Sequence, residues 1–197
     1  DIVFITDFPE KNKLPNHIHQ CRSALKFCFK DCAANQNTLK IYKIIFLRSM
    51  RKMSTNIEKN LEKNGIILPE VAAPVANYVG WTVCGKTLYV SGQLPTKNGA
   101  LVYKGHLGAE ISIQDGIDAA KLCAVNLLAQ LKHACSVLAP QKGLDAVQKV
   151  LKIEGLVSAT PDFTDHPKVI NGASDLMVAV LEDAGKHSRV AYGVASL

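Results

Sequence analysis

The chain has 197 residues, 48% hydrophobic and 20% charged, which is an ordinary globular balance, and no run nears the ~18 apolar residues of a membrane span. Its formal charge is +6, yet the whole excess lies in residues 1–52, with 10 Lys and Arg against 4 Asp and Glu; the remaining 145 residues carry 13 of each. A domain that tracks a phosphate backbone concentrates Lys and Arg on itself, so this distribution argues against nucleic acid as a partner.

Residues 1–52 read as a leader outside the fold, either disordered or upstream of the true start. The chain opens on Asp1, no methionine precedes Met50, and a helix signal follows Met53 at once. Residues 39–52 are apolar and basic, as in a mitochondrial presequence, but Asp1, Asp7, Glu10 and Asp31 are out of character for one. A cytoplasmic location is the expectation, with a mitochondrial one as the alternative. His17, His19, Cys21, Cys28 and Cys32 gather soft ligands without a Cys-x-x-Cys pair, so no metal is assigned there. A single domain is expected over residues 53–197.

Within that domain, Thr55-Asn-Ile-Glu58 is a capping box opening a short helix that Gly65 stops. Val79, Trp81 and Val83 alternate with Gly80, Thr82 and Cys84, the period of a strand. Gly85-Lys86 turns the chain into a second strand over residues 87–92, and Asn98-Gly99 is a two-residue hairpin signal. Ser112-Ile-Gln-Asp115 caps a long helix with its stripe at Ile113, Ile117, Ala120, Ala124, Leu127, Leu128 and Leu131. Pro140 and Gly143 break it. Residues 146–159 are rich in Val, Leu and Ile and read as a strand. Asp165 caps a second helix with Pro167 in its first turn, which Gly185 ends, and Val190, Tyr192 and Val194 form the last strand. This order predicts an α+β layer with helices on one sheet face, leaving the other face in need of a partner. Cys84, Cys123 and Cys135 read as small buried hydrophobes.

Arg189 is the chemical anomaly. A lone guanidinium among small and apolar strand neighbours is costly to bury unless it holds an anion, pairs internally or reaches water. His187, two residues earlier, shares its face. In Asn171-Gly-Ala-Ser-Asp175 a glycine sits inside a helix at a cost of about 1 kcal/mol relative to Ala, which points to close packing or a cleft wall. Asn171 is the polar cleft candidate there. Glu154, Asp162, Asp165, Glu182 and Asp183 read as solvated charges and caps, and His106, His133, His166 and His187 follow no Ser–His–Asp order.

The segments LYVSGQLP, NG and YKG, the helix SIQDGIDAAKLCAVNLLAQLK, then VINGASDL and HSRVAYGVASL, resemble in order the YjgF/RidA family. Within it they are most similar to the branch labelled endoribonuclease L-PSP or chorismate-mutase-like. The resemblance covers residues 56–197 and implies a chorismate-mutase-like α+β fold: a mixed sheet, two main helices on one face, and a homotrimer with clefts between subunits. It implies that Arg189, as the catalytic residue, holds a substrate carboxylate, that Tyr78 lines the cleft, and that Ser91 and Gly92 meet the ligand. The implied reaction is hydrolytic deamination of reactive 2-imino or enamino acids to 2-oxo acids and ammonia, without metal or organic cofactor. A non-catalytic small-molecule or partner-binding trimer and an endoribonuclease are the alternatives.

Two departures accompany the resemblance. Ala191 stands where the family often has cysteine. The sequence stops at Leu197, where the family continues into a Leu-Pro turn and a closing strand whose glutamate positions the attacking water. The expectation is therefore a sheet with one strand missing, an unpaired neighbour, reduced stability and no family acid/base.

Overall fold

Short alternating runs dictate the elements of the computed structural model, which describes residues 2–7, 56–71 and 77–197. In chain order these are β1 (Ile2–Asp7), α1 (Asn56–Lys63), β2 (Trp81–Cys84), β3 (Thr87–Gln93), β4 (Thr96–Lys97) and β5 (Ala100–Leu101). Then follow α2 (Ile113–Leu138), β6 (Lys149–Ser158), α3 (His166–Leu181) and β7 (Ser188–Val194). The main sheet runs β2-β3-β1-β6-β7, and β4 and β5 form a separate hairpin. At the hairpin tip Asn98 and Gly99 adopt φ of 53° and 78°, the doubly positive backbone of the turn that Asn-Gly favours.

β1 is antiparallel to both β3 and β6, whereas β6 and β7 are parallel. A parallel pair needs a crossover, and α3 supplies it. One sheet face is buried: Leu88 and Val90 of β3 and Ile153, Gly155 and Val157 of β6 point into the core. α2 and α3 cover that face with Leu127, Leu128, Leu131 and Met177, all fully buried. Burying each such side chain contributes about 1.5–3 kcal/mol. A Cβ on Gly172 would run into the Ile117 carbonyl, so the glycine within α3 is what lets the two helices touch. On the opposite face Tyr89, Val190 and Tyr192 remain exposed.

Local chemistry follows the sequence closely at α2, whose Ser112 hydroxyl accepts from the Asp115 amide at 3.1 Å. Elsewhere distant residues intervene. The amides of Asn56 and Ile57 donate to the Asp145 carboxylate at 3.2 Å each, so the start of α1 is capped from across the fold. Thr55, the expected cap, lies outside the described residues, while Gly65 takes φ 65° just beyond the helix as expected. Asp165 precedes α3 without a side-chain capping bond and pairs with Lys168 at 3.0 Å instead. Cys123 and Cys135 are buried, with thiols pushed up to about 11 and about 12 by desolvation. Cys84 is a correction: it is exposed, because the alternation of edge strand β2 turns it off the core. No helix among the described residues is long and apolar enough to cross a membrane.

The reading of residues 1–52 as lying wholly outside the fold is corrected at Ile2–Asp7. These residues form the central strand, and Thr6 is fully buried with its hydroxyl donating to the Lys149 carbonyl at 2.8 Å. Charge and methionine position drew the boundary at residue 52, although Ile-Val-Phe-Ile-Thr has the β-branched and aromatic content of a strand. The expected unpaired neighbour is likewise absent here, since β3 and β6 are bridged through β1. The rest of the leader, with its His and Cys residues, lies outside the described residues.

A carboxylate at position 6 tests this placement. Thr6→Asp puts an unpaired charge where side-chain exposure is zero, and should cost more than about 2 kcal/mol. At roughly 2–4 °C per kcal/mol the melting temperature should fall measurably. An unchanged melt would remove β1 from the sheet.

Candidate functional site

The site is built where α3 returns to the sheet as β7. Arg189 is in register with Ile153, which points into the core, so the parallel pairing turns Arg189 toward the helix side. Asn171 and Ser174 are three apart on α3 and therefore share a face. Arg189 Nη1 donates to Asn171 Oδ1 at 2.8 Å and to Ser174 Oγ at 3.1 Å. Both bonds leave from Nη1. The Nε–H and Nη2–H edge has no partner among the described residues, and Arg189 is exposed. Two parallel donors of this kind match a carboxylate.

His187 extends the network. Its Nδ1 lies 2.5 Å from the Gly185 carbonyl, which only accepts, so Nδ1 carries the proton of the neutral ring. Its Nε2 lies 3.1 Å from Ser174 Oγ and accepts the serine proton. Ser174 thus donates to His187 while accepting from Arg189. Burial holds the imidazole below its ordinary 6.5; the Gly185 carbonyl opposes this, and the charges of Arg189 and Lys149 add to it.

A second group sits at the other end of the sheet. Ser91 Oγ donates to the Val79 carbonyl at 2.6 Å, and its amide donates to the Gly80 carbonyl at 2.9 Å. These bonds clamp residues 79 and 80 onto β3, with Tyr78 exposed beside them and Gly92 exposed on the strand. Between β3 and β7 lie β1 and β6, so at about 4.8 Å per strand the groups are roughly 14 Å apart. One chain therefore unites Arg189 with Asn171 and keeps Tyr78, Ser91 and Gly92 separate.

The remaining candidates have other work. Glu154 accepts from Lys152 at 3.1 Å and from the Tyr192 hydroxyl at 3.0 Å, and both bonds hold its carboxyl below the usual range. His106 meets Ser158 at 2.8 Å, His133 accepts from Trp81 Nε1 at 3.0 Å, and His166 packs edge-on against Phe163. No cluster of three potential metal ligands occurs among the described residues. Ser174 is the residue that sequence reasoning passed over. Its i+3 spacing from Asn171 and the i−2 spacing of His187 from Arg189 were the available signals, but only the packing of α3 on β7 joins them.

The His187 environment has a consequence for stability against pH. Its folded pKa is lowered, so below 6.5 the unfolded chain binds the proton more readily than the folded one. Its contribution is present above pH 6.5 and lost as pH falls toward the folded value. Melting temperatures measured from pH 7.5 to 5.5 should decline, and the decline should be shallower in His187→Gln. Identical slopes for the two proteins would contradict the assignment. Carboxylates titrate below this window.

Comparison with known proteins gives the arrangement a relationship. The sequence profile of the YjgF/chorismate mutase-like, putative endoribonuclease family matches residues 58–196. Protein TCP17 of Trypanosoma cruzi is 40% identical over 145 residues, covering 73% of this chain and 87% of its own length. The crystal structure of Atu1372 from Agrobacterium tumefaciens, a protein of unknown function, is similar at TM-score 0.65 and 43% identity, over 72% of this chain and 84% of that one. A putative endoribonuclease from Shewanella oneidensis is similar at TM-score 0.67 and 35% identity, over 72% and 89% respectively. With the mixed α+β architecture that these structures share, the chain belongs to the YjgF/chorismate mutase-like family.

Proposed function

We propose that this protein hydrolyses reactive 2-imino or enamino acids to 2-oxo acids and ammonia. The observation that carries this reading is the Arg189 guanidinium, fixed through two bonds from Nη1 and open along its Nε–Nη2 edge. That edge holds the substrate carboxylate and so places the adjacent iminium carbon. Water adds to this carbon, one of its protons passes through solvent to the nitrogen, and the carbinolamine expels ammonia as the remaining hydroxyl proton leaves to water, giving the 2-oxo acid. An iminium carbon is already electrophilic, so the protein's share is positioning, and it calls for neither a metal nor an organic cofactor.

The Tyr78 hydroxyl and the backbone near Ser91 and Gly92 orient the imine in this reading. They lie at least roughly 14 Å from Arg189 in one chain by strand spacing, so a neighbouring copy supplies them. A homotrimer, which the family resemblance implies, closes the site in this way. Binding without turnover is the second reading. It is favoured by the lack of any carboxylate hydrogen-bonded to Arg189 among the described residues. Endoribonuclease activity is disfavoured by the 13 basic and 13 acidic residues of positions 53–197.

Ammonia release on an enzymatically generated imine, run beside RNA cleavage, separates the readings. Deamination without RNA cleavage is expected. Turnover of neither substrate with retained 2-oxo acid binding would establish the binding reading. Arg189→Ala should weaken 2-oxo acid binding by about 2–5 kcal/mol, as for a charged pair that the bound acid and the neighbouring copy together desolvate, while the melt stays near wild type. Arg189→Lys should also fail, because a point-charge ammonium lacks two parallel donors. Unchanged 2-oxo acid affinity in Arg189→Ala would sink the site. Light scattering should return three 21.3 kDa chains, and a fully active monomer would exclude the shared cleft.

A further inference from the structure

We infer that Ser174 and His187 are positioning residues that fix which edge of the Arg189 guanidinium meets the ligand, and so tune the site for planar carboxylates. The inference rests on the carboxylate-clamp reading above and adds two residues to it. A single acceptor at Asn171 Oδ1 holds one Nη1 proton and leaves the guanidinium plane free to turn about that bond. A second acceptor, Ser174 Oγ at 3.1 Å, sets the plane.

A serine hydroxyl is both donor and acceptor, so by itself it does not guarantee a lone pair toward Arg189. His187 removes the choice. The Gly185 carbonyl takes the Nδ1 proton, leaving Nε2 with a lone pair that claims the Ser174 proton. The serine oxygen then presents its lone pairs to Nη1. Gly185 itself is buried against the end of α3, where a Cβ would run into the Met177 carbonyl, so the chain of bonds starts from a fixed point. Donation runs one way, from Arg189 to Ser174, to His187, to Gly185. The outward edge is then the Nε–H and Nη2–H pair, whose parallel bonds fit a flat carboxylate better than a tetrahedral anion. His187 acts here without touching the ligand.

The test uses calorimetric binding of pyruvate and of inorganic phosphate to the full-length protein and its variants. Ser174→Ala should weaken pyruvate binding about tenfold, on the order of 1.4 kcal/mol, and leave weak phosphate binding unchanged. Ser174→Thr, which keeps the hydroxyl, should restore pyruvate binding. His187→Leu should repeat the Ser174→Ala loss, and the double variant should be no worse than either single, because both cut one chain of bonds. His187→Gln, which returns an acceptor near the Nε2 position, should recover part of the loss. Additive losses in the double variant, or equal weakening toward pyruvate and phosphate, would overturn the inference. So would wild-type pyruvate affinity in Ser174→Ala. If Arg189→Ala also binds pyruvate normally, the carboxylate clamp itself is wrong; if Arg189→Ala loses binding while Ser174→Ala keeps it, only the positioning role falls.

Discussion

The parallel pairing of β6 with β7 is the constraint on which the rest of this molecule turns. Parallel neighbours cannot be joined by a tight turn, so the chain must leave the sheet and return through a helix. That helix is α3, and its closeness to the sheet depends on Gly155, where a Cβ would overlap Ile170. The register of Arg189 on Ile153 then decides the face on which the guanidinium emerges. A one-residue slip would send it to the opposite face and put Val190 under the helix. The two acceptors on α3 are useful only because this register holds.

The same strand serves both faces. Arg189 points toward α3, while Val190 and Tyr192 alternate with it on the side that none of the described helices covers. Tyr192 anchors Glu154 through its hydroxyl, and Lys152 pairs with the same carboxylate, so the uncovered face is apolar with a satisfied charge pair rather than uniformly greasy. In the proposed trimer this surface packs against a neighbour, which would join assembly and site through one strand. Edge placement also explains why Arg189 is affordable in a largely apolar strand: its guanidinium stays exposed, so little desolvation is incurred.

How much of this was legible in the sequence depended on the range of the interaction. α2 was readable from Ser112, Asp115 and its apolar stripe, and the hairpin from Asn98-Gly99, because both are decided within a few residues. The cap on α1 comes from Asp145, 88 residues from Ile57, and no local pattern signals it. β1 carried strand composition in plain view, but charge balance and the position of Met53 outweighed six residues of pattern. Arg189 and Asn171 stood out as chemical oddities within their elements. Ser174 did not, since a serine in a helix is unremarkable until a histidine from another element takes its proton.

Charge distinguishes the possible ligands more sharply than the family's label does. Binding along a nucleic-acid backbone draws its affinity from several cations, each displacing counterions, with log K falling by about 0.7–0.9 per neutralised phosphate for each decade of salt. Residues 53–197 offer no net excess of positive charge, and the site contributes one guanidinium with one open edge. A single phosphate contact of that kind gives weak binding that physiological salt removes. A small carboxylate asks for much less. It needs one cation, presented flat, with Nη1 already engaged so that the parallel Nε–H and Nη2–H pair stays open. The bonds from Arg189 to Asn171 and Ser174 supply that arrangement, and on the proposed reading this is what would select a small planar acid over a polyanion.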